Sequence, residues 1–261
     1  MSSLSYVDAH LHLADPAYTG RIEQVIEDAT TNNVSYLLSN AVDYSTSVQT
    51  ITLAKNYRGK VLAAIGVHPS TVTKTADYQL DKFEELIDKN EDYAQAVGEI
   101  GLDGKYTQDE ALKNRQKEVF RFFLRLAEQK KLPVVVHSRL AVDEVLESLS
   151  GFRLRKVLLH WYDGPVEKLS LIHQRSYLIS LGPALLYSRR LSEIARKADL
   201  GIVLSETDGP VTYHGPFKGR LTQPSFVVDV VRKLAEIKSV NVDEVRETIY
   251  GNFHEFIRNL A

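Results

Sequence analysis

The residues with the most evident chemistry stand near the start of the chain, in Tyr6-Val7-Asp8-Ala9-His10-Leu11-His12. Read as a strand, this stretch alternates faces: Asp8, His10 and His12 point one way, and Val7, Ala9 and Leu11 the other. Two neutral imidazoles side by side suit a divalent transition metal, and a carboxylate behind them can fix a ligand's tautomer. A lone His-x-His also arises from unrelated surface histidines, so its meaning depends on ligands elsewhere. The chain supplies them at the ends of apolar runs: Gly66-Val67-His68-Pro69, Gly98-Glu99-Ile100-Gly101-Leu102-Asp103, Val136-His137-Ser138-Arg139, Leu159-His160-Trp161-Tyr162 and Glu206-Thr207-Asp208-Gly209-Pro210. Taken singly, His137 reads as a hydrogen-bonded core histidine, Glu99 as a carboxylate at a helix entry and Asp208 as a turn residue. As a set, with five of the eight histidines closing or following an apolar run, they point to a metal centre.

The elements that must position these groups alternate along the chain. Strands are expected at Tyr6–His10, Ser35–Val42, Val61–Val67, Ala94–Ile100, Val134–His137, Val157–Trp161, Tyr177–Leu181 and Gly201–Glu206. Helices are expected at Gly20–Asn32, Tyr44–Asn56, Gln79–Lys89, Gln108–Lys130, Val142–Ser150, Val166–His173, Arg189–Lys197, Gln223–Ile237 and Val242–Asn259. Pro133 ends one helix, Pro165 suits a first helical turn, and Asn241 is a plausible cap. Strands separated by helices imply parallel pairing through βαβ crossovers. Eight such units make a (β/α)8 TIM barrel, expected as a single domain over residues 1–261. An open doubly wound sheet is disfavoured, because no Gly-x-Gly-x-x-Gly follows the first strand. In a barrel the active groups belong at the C-terminal ends of the strands, where the candidates above fall.

Composition narrows the function classes. At 44% hydrophobic and 25% charged residues, the chain has the make-up of an ordinary globular protein. Its net charge of −2 provides no global cationic field for nucleic acid, so a phosphate-bearing substrate must be met by local Lys and Arg and by metal. The absence of cysteine excludes disulfides, thiolate metal sites and a cysteine nucleophile. No signal-peptide pattern and no membrane-length apolar run is visible, so the expected location is the cytoplasm.

The order His10-x-His12, Glu99, His137, His160, Asp208 resembles the TatD family of metal-dependent hydrolases, within the amidohydrolase-type barrels. The resemblance extends from Asp8 to the last helix. It implies a (β/α)8 barrel, one to three divalent ions (Mg, Mn or Zn) and phosphodiester hydrolysis, commonly at DNA ends. It further implies that His10, His12, Glu99 and Asp208 bind one metal, and Glu99, His137 and His160 a second. A carboxylate can span two cations, which suits Glu99 as the bridge. The expected mechanism is attack by a metal-activated water, with Asp208 as base and Glu99 in the catalytic centre. One departure stands after His160, where Trp161-Tyr162-Asp163-Gly164-Pro165 replaces the family's Cys-Phe-Ser-Gly type of segment; this bears on substrate preference.

Around the ligands, His68, Arg139 and Trp161 are expected to bind substrate. His68 and Arg139 would do so through phosphate, the rival readings being a turn histidine before Pro69 and a surface salt bridge; Trp161 with Tyr162 would stack on a base, the rival being a packed aromatic pair. Lys218 and Arg220 add cations in the loop after the last strand. His173 and His254 read as structural, and His214 as a loop residue near the mouth. Asp8 and Glu206 read either as carboxylates supporting ligands or as buried groups satisfied by backbone. The expected partner is single-stranded DNA or a DNA end, with no membrane; the oligomeric state is left open. The alternatives are a hydrolase of a small ester, lactone or amide at the same centre, and a non-catalytic binding protein. The complete ligand set argues against the last of these.

Overall fold

The structure, a computed structural model, describes residues 5–75, 77–105 and 109–257. Eight parallel strands form one sheet in the order of the chain: β1 (Tyr6–Leu11), β2 (Val34–Asn40), β3 (Val61–Ile65), β4 (Ala94–Gly101), β5 (Val134–His137), β6 (Val157–Leu159), β7 (Leu178–Leu181) and β8 (Val203–Ser205). Helices alternate with them: α1 (Ile22–Thr31), α2 (Tyr44–Asn56), α3 (Asp77–Asp88), α4 (Glu110–Lys130), α5 (Val142–Ser150), α6 (Leu169–Gln174) and α7 (Arg189–Lys197), then α8 (Phe226–Lys238) and α9 (Val242–Phe256). This is a TIM barrel. The strands are near-continuous Val, Ile, Leu and Ala because they are covered on both faces, as parallel strands must be. The outer face packs against helix residues such as Phe83, Phe120, Phe123 and Phe253, all buried.

The barrel closes between β8 and β1, and the closing bonds lie at the chemically interesting end. Ser205 Oγ donates to Val7 O at 2.8 Å, Asp208 N to His10 O at 2.8 Å, and His12 N to Gly209 O at 2.7 Å. Asp8 serves this seam: its carboxylate accepts from Thr207 N at 2.9 Å and Thr207 Oγ1 at 2.5 Å. It therefore belongs to the closure of the barrel, and it meets His10 through the backbone, accepting from His10 N at 3.4 Å.

The predicted elements match with shifts at their ends. Asn241 caps α9 by accepting from Asp243 N at 2.8 Å. Pro165 stands one position earlier than expected, as the cap of a 3₁₀ turn over Val166–Lys168 that precedes α6. The strand predicted from Gly201 begins at Val203, since Leu200–Ile202 forms a 3₁₀ turn capped by Asp199. Gln108 and Asn259, the outer limits of two predicted helices, lie outside the described residues.

Candidate metal centre

Two strand irregularities aim the ligands. The β1–β2 register shifts between Asp8 and Leu11, and the β4–β5 register between Val97 and Ile100. Such bulges turn a side chain away from the regular alternation. His10 and Glu99 sit within them. Gly98 makes the second possible, because a Cβ there would lie 2.7 Å from Val135 Cβ. Two further groups come from residues in the left-handed region just past a strand end, Asp208 at φ 47° and Trp161 at φ 41°.

At the C-terminal mouth, His10 Nε2 and His12 Nε2 are 3.2 Å apart. Asp208 Oδ1 is 3.3 Å from the first and 3.2 Å from the second. Glu99 Oε2 lies 3.4 Å from each. His10 Nε2, His12 Nε2 and Glu99 Oε2 thus form a triangle with sides of 3.2–3.4 Å, and Asp208 Oδ1 stands against its His10–His12 edge. Donor atoms about 3.3 Å apart have the spacing of ligands that each lie roughly 2.0 Å from a shared zinc ion. The other oxygen of Glu99 faces a second group: Oε1 is 2.8 Å from His137 Nδ1 and 2.8 Å from His160 Nε2, which are 3.2 Å from one another. Three donors at those spacings match adjacent corners of an octahedron about 2.1 Å in radius, leaving positions for water and substrate. The chemistry of the donor set thus fits two cations sharing Glu99. Among the described residues, the groups able to hold an ion are His10–His12–Glu99, His68–Glu99–His137 and His10–His160–Glu206.

The far nitrogens of the histidines decide which can be ligands. His12 Nδ1–H donates to Asn40 O at 2.9 Å, so the neutral ring presents its Nε2 lone pair to the cleft. His137 Nε2–H donates to Asp103 Oδ2 at 2.7 Å, so its Nδ1 does the same. His68 differs. Its Nδ1 accepts from Ser70 N at 3.1 Å, and a backbone N–H can only donate. The proton of neutral His68 is therefore on Nε2, 3.4 Å from Glu99 Oε1. Burial pushes His68 down to about 4, which keeps it neutral. His68 thus presents a hydrogen-bond donor to the cleft, while also capping the 3₁₀ segment Pro69–Lys74.

The electrostatics of the cluster follow from burial and partners. Burial raises the Asp208 carboxyl, but hydrogen bonds from His10 and His12 outweigh it and hold it below the usual carboxylate range. Burial likewise lowers His12, yet its bond to Asp208 and the Glu99 charge lift it to about 9. Asp103, fully buried, is desolvated but kept ionised by His137 and by Arg139.

A cleft of about 670 Å³ opens over these groups, lined by His12, His68, Glu99, His137, Arg139, His160, Trp161 and Asp208. His10 lies beneath it, fully buried. The structure therefore brings the six candidate ligands and the three candidate substrate residues to one place. Arg139 has a second occupation: its Nε and Nη2 hold Asp103 Oδ2 at 2.9 and 2.7 Å. Trp161 is backed by the Tyr213 ring, stacked at 5.6 Å. Tyr162 is not available to a base, being fully buried with its hydroxyl donating to Pro165 O at 2.7 Å. Arg220 rests on the Phe226 ring at 4.6 Å. His173 lies on α6 and His254 on α9, away from the cleft, whereas His214 is exposed beside Tyr187. Asp103 is the supporting residue that sequence reasoning passed over. Its signal was present: it falls four positions after Glu99 in the run that continues β4.

The chain matches the family profile described as TatD related DNase over residues 7–258. An uncharacterized metal-dependent hydrolase of Methanocaldococcus jannaschii is 34% identical over 258 residues, covering 99% of each chain. Deoxyribonuclease TATDN3 of Homo sapiens is 29% identical over 259 residues, 96% of this chain and 94% of the human one. The crystal structure of YjjV, a TatD homologue of Escherichia coli K12, superposes with a TM-score of 0.90 at 27% identity, covering 97% of both chains.

Proposed function

The chain belongs to the TatD-related DNase family of metal-dependent hydrolases, and from that membership we propose that it hydrolyses phosphodiester bonds at DNA ends. In this reading His10, His12, Glu99 and Asp208 hold one divalent cation, and Glu99, His137 and His160 a second. The observation that carries it is the set of five 3.2–3.4 Å separations among His10, His12, Glu99 and Asp208, together with the 2.8 Å contacts to the other Glu99 oxygen. The human relative named a deoxyribonuclease supports DNA as the substrate class.

Divalent cations in such a centre supply Lewis acidity and lower the pKa of water. The chain's own residues supply the rest. Asp208, held ionised, orients the attacking water and accepts its proton. Glu99 spans the centre with one oxygen toward each group of histidines. His68 donates through Nε2–H to a non-bridging phosphate oxygen, where charge builds in the transition state. Arg139, braced by Asp103, adds positive charge at the lip of the cleft. Trp161, braced by Tyr213, offers a rigid surface to an unpaired base.

The test is metal analysis of the purified protein, coupled to assays on a single-stranded oligonucleotide and on a small lactone before and after chelation. The loaded protein is expected to shorten the oligonucleotide from an end and to stop on chelation. Asp208→Asn should lower turnover by roughly 10²–10⁴-fold with an unchanged circular dichroism spectrum. Lactone turnover without DNA cleavage would overturn the substrate, and undiminished turnover in Asp208→Asn the role of the base.

A further inference from the structure

Behind the cleft three buried polar atoms have no hydrogen-bond partner: His10 Nδ1, His160 Nδ1 and Glu206 Oε1. They belong to one cluster. The His10 and His160 rings stack nearly parallel, 3.8 Å between centroids and 7° between planes. His10, His160 and Glu206 each place one nitrogen or oxygen within 4.8 Å of the others. Glu206 Oε2 lies 3.7 Å from His160 Nδ1 and accepts from Ser180 Oγ at 2.5 Å. Glu206 is fully buried, and among the described residues no Lys or Arg stands within ion-pair distance of it. A buried carboxylate so placed needs hydrogen-bond donors.

The two histidines supply them. His10 Nε2 faces Asp208 at 3.3 Å and His160 Nε2 faces Glu99 at 2.8 Å, in the two halves of the candidate centre. A neutral imidazole that presents a lone pair at Nε2 carries its proton on Nδ1. Both Nδ1 atoms are then donors without a partner, and the Glu206 carboxylate, with Oε2 3.7 Å from His160 Nδ1 and an unpartnered Oε1, is the acceptor group of the same cluster. The same count argues against a third cation here, which would have to displace both protons.

We propose that Glu206 is a positioning residue for both metal sites at once, its carboxylate holding His10 of the first and His160 of the second in the Nδ1–H tautomer. This rests on the two-site reading above. Glu99 joins the sites from the front, and Glu206 joins them from behind through one ligand of each. The other supports are local: Asn40 O accepts from one candidate ligand, His12, and Asp103 from one, His137.

The test compares Glu206→Gln with Asp103→Asn by calorimetric titration of Zn²⁺ into the metal-free proteins. The Gln amide keeps the size but puts an N–H₂ where an acceptor oxygen is needed. Glu206→Gln is expected to weaken both sites together, each by about 10–100-fold, the usual effect of losing a ligand's supporting carboxylate. Asp103→Asn is expected to weaken one site only, which identifies the His137–His160 site in the titration. Ser180→Ala, which removes the bond aiming Glu206 but keeps its charge, should weaken both sites to a smaller degree. It serves as the measured variant if Glu206→Gln does not fold. Loss at only the site that Asp103→Asn affects, or at neither, overturns the proposal. Failure of the unaltered protein to take up two ions would instead overturn the two-site reading itself.

Discussion

His68 and His137 sit 4.6 Å apart, ring to ring, yet they present opposite chemistry to the cleft. The difference lies in one neighbour each. Ser70 N–H donates a hydrogen bond to His68 Nδ1, and Asp103 Oδ2 accepts one from His137 Nε2–H. His68→Ala should therefore leave the bound metal count unchanged while lowering turnover by roughly 10²-fold, the typical cost of a lost transition-state donor. Metal analysis alongside kinetics checks this, and loss of an ion would make His68 a ligand after all. His12 yields a second prediction at this scale. In the metal-free protein Asp208 and Glu99 lift it from 6.5 to about 9. A group raised on folding contributes stability that is complete below its ordinary pKa and lost as pH rises through the raised one. The chelated protein should thus melt at a lower temperature at pH 9.5 than at pH 6.5. The metal-loaded protein should show less of this fall, because a cation there takes the place of the proton.

At the scale of elements, the strand ends are where regular geometry is given up. β4 carries Gly98, where a side chain has no room, and Gly101, at φ 144° with His137 O only 2.1 Å from where a Cβ would stand. These positions let β4 press against β5, which brings Glu99 to His137. Gly98→Ala should destabilise the fold by about 1–3 kcal/mol through overpacking against Val135. It should also lower metal occupancy, since Glu99 moves with that strand. Thermal melts with metal analysis measure both; full occupancy in a destabilised variant would separate the bulge from the centre. The loops that follow the strands are shaped as firmly. Leu140, Trp161 and Asp208 all hold left-handed backbone at φ 55°, 41° and 47°, a cost of roughly 1–2 kcal/mol each. Two of the three line the cleft.

For the molecule as a whole, the centre and the closure of the barrel are one feature. Asp208 N to His10 O and His12 N to Gly209 O join the last strand to the first, and the same residues converge on the first set of ligand atoms. Ions bound there link elements from opposite ends of the chain. At a free metal concentration a thousandfold above Kd, binding adds about 4 kcal/mol to stability. For a chain of this size that corresponds to a melting rise on the order of 10 °C. A scan with and without chelator measures it, and equal melting temperatures would show that the centre does not clamp the seam.

The amino-acid sequence alone determined the alternation of strands and helices and the TIM barrel. Both are written locally, in apolar runs of strand length and helical periodicity between them; polar groups where a run stops marked a metal centre, and the resemblance to the TatD family singled out the six candidate ligands among them. The sequence located β1, β4 and β5 closely, and it went astray at the start of β8, where Asp199 captures the backbone into a 3₁₀ turn first. Only the tertiary structure decided which side of His68 carries the proton, that Arg139 braces Asp103, that Tyr162 is buried, and that Glu206 stands behind two ligands rather than one. Those outcomes depend on partners that meet across the barrel, such as Asp103 and His137, 34 positions apart, or Ser180 and Glu206, 26 apart. A residue's type sets what it can donate or accept; the closed barrel sets what it faces.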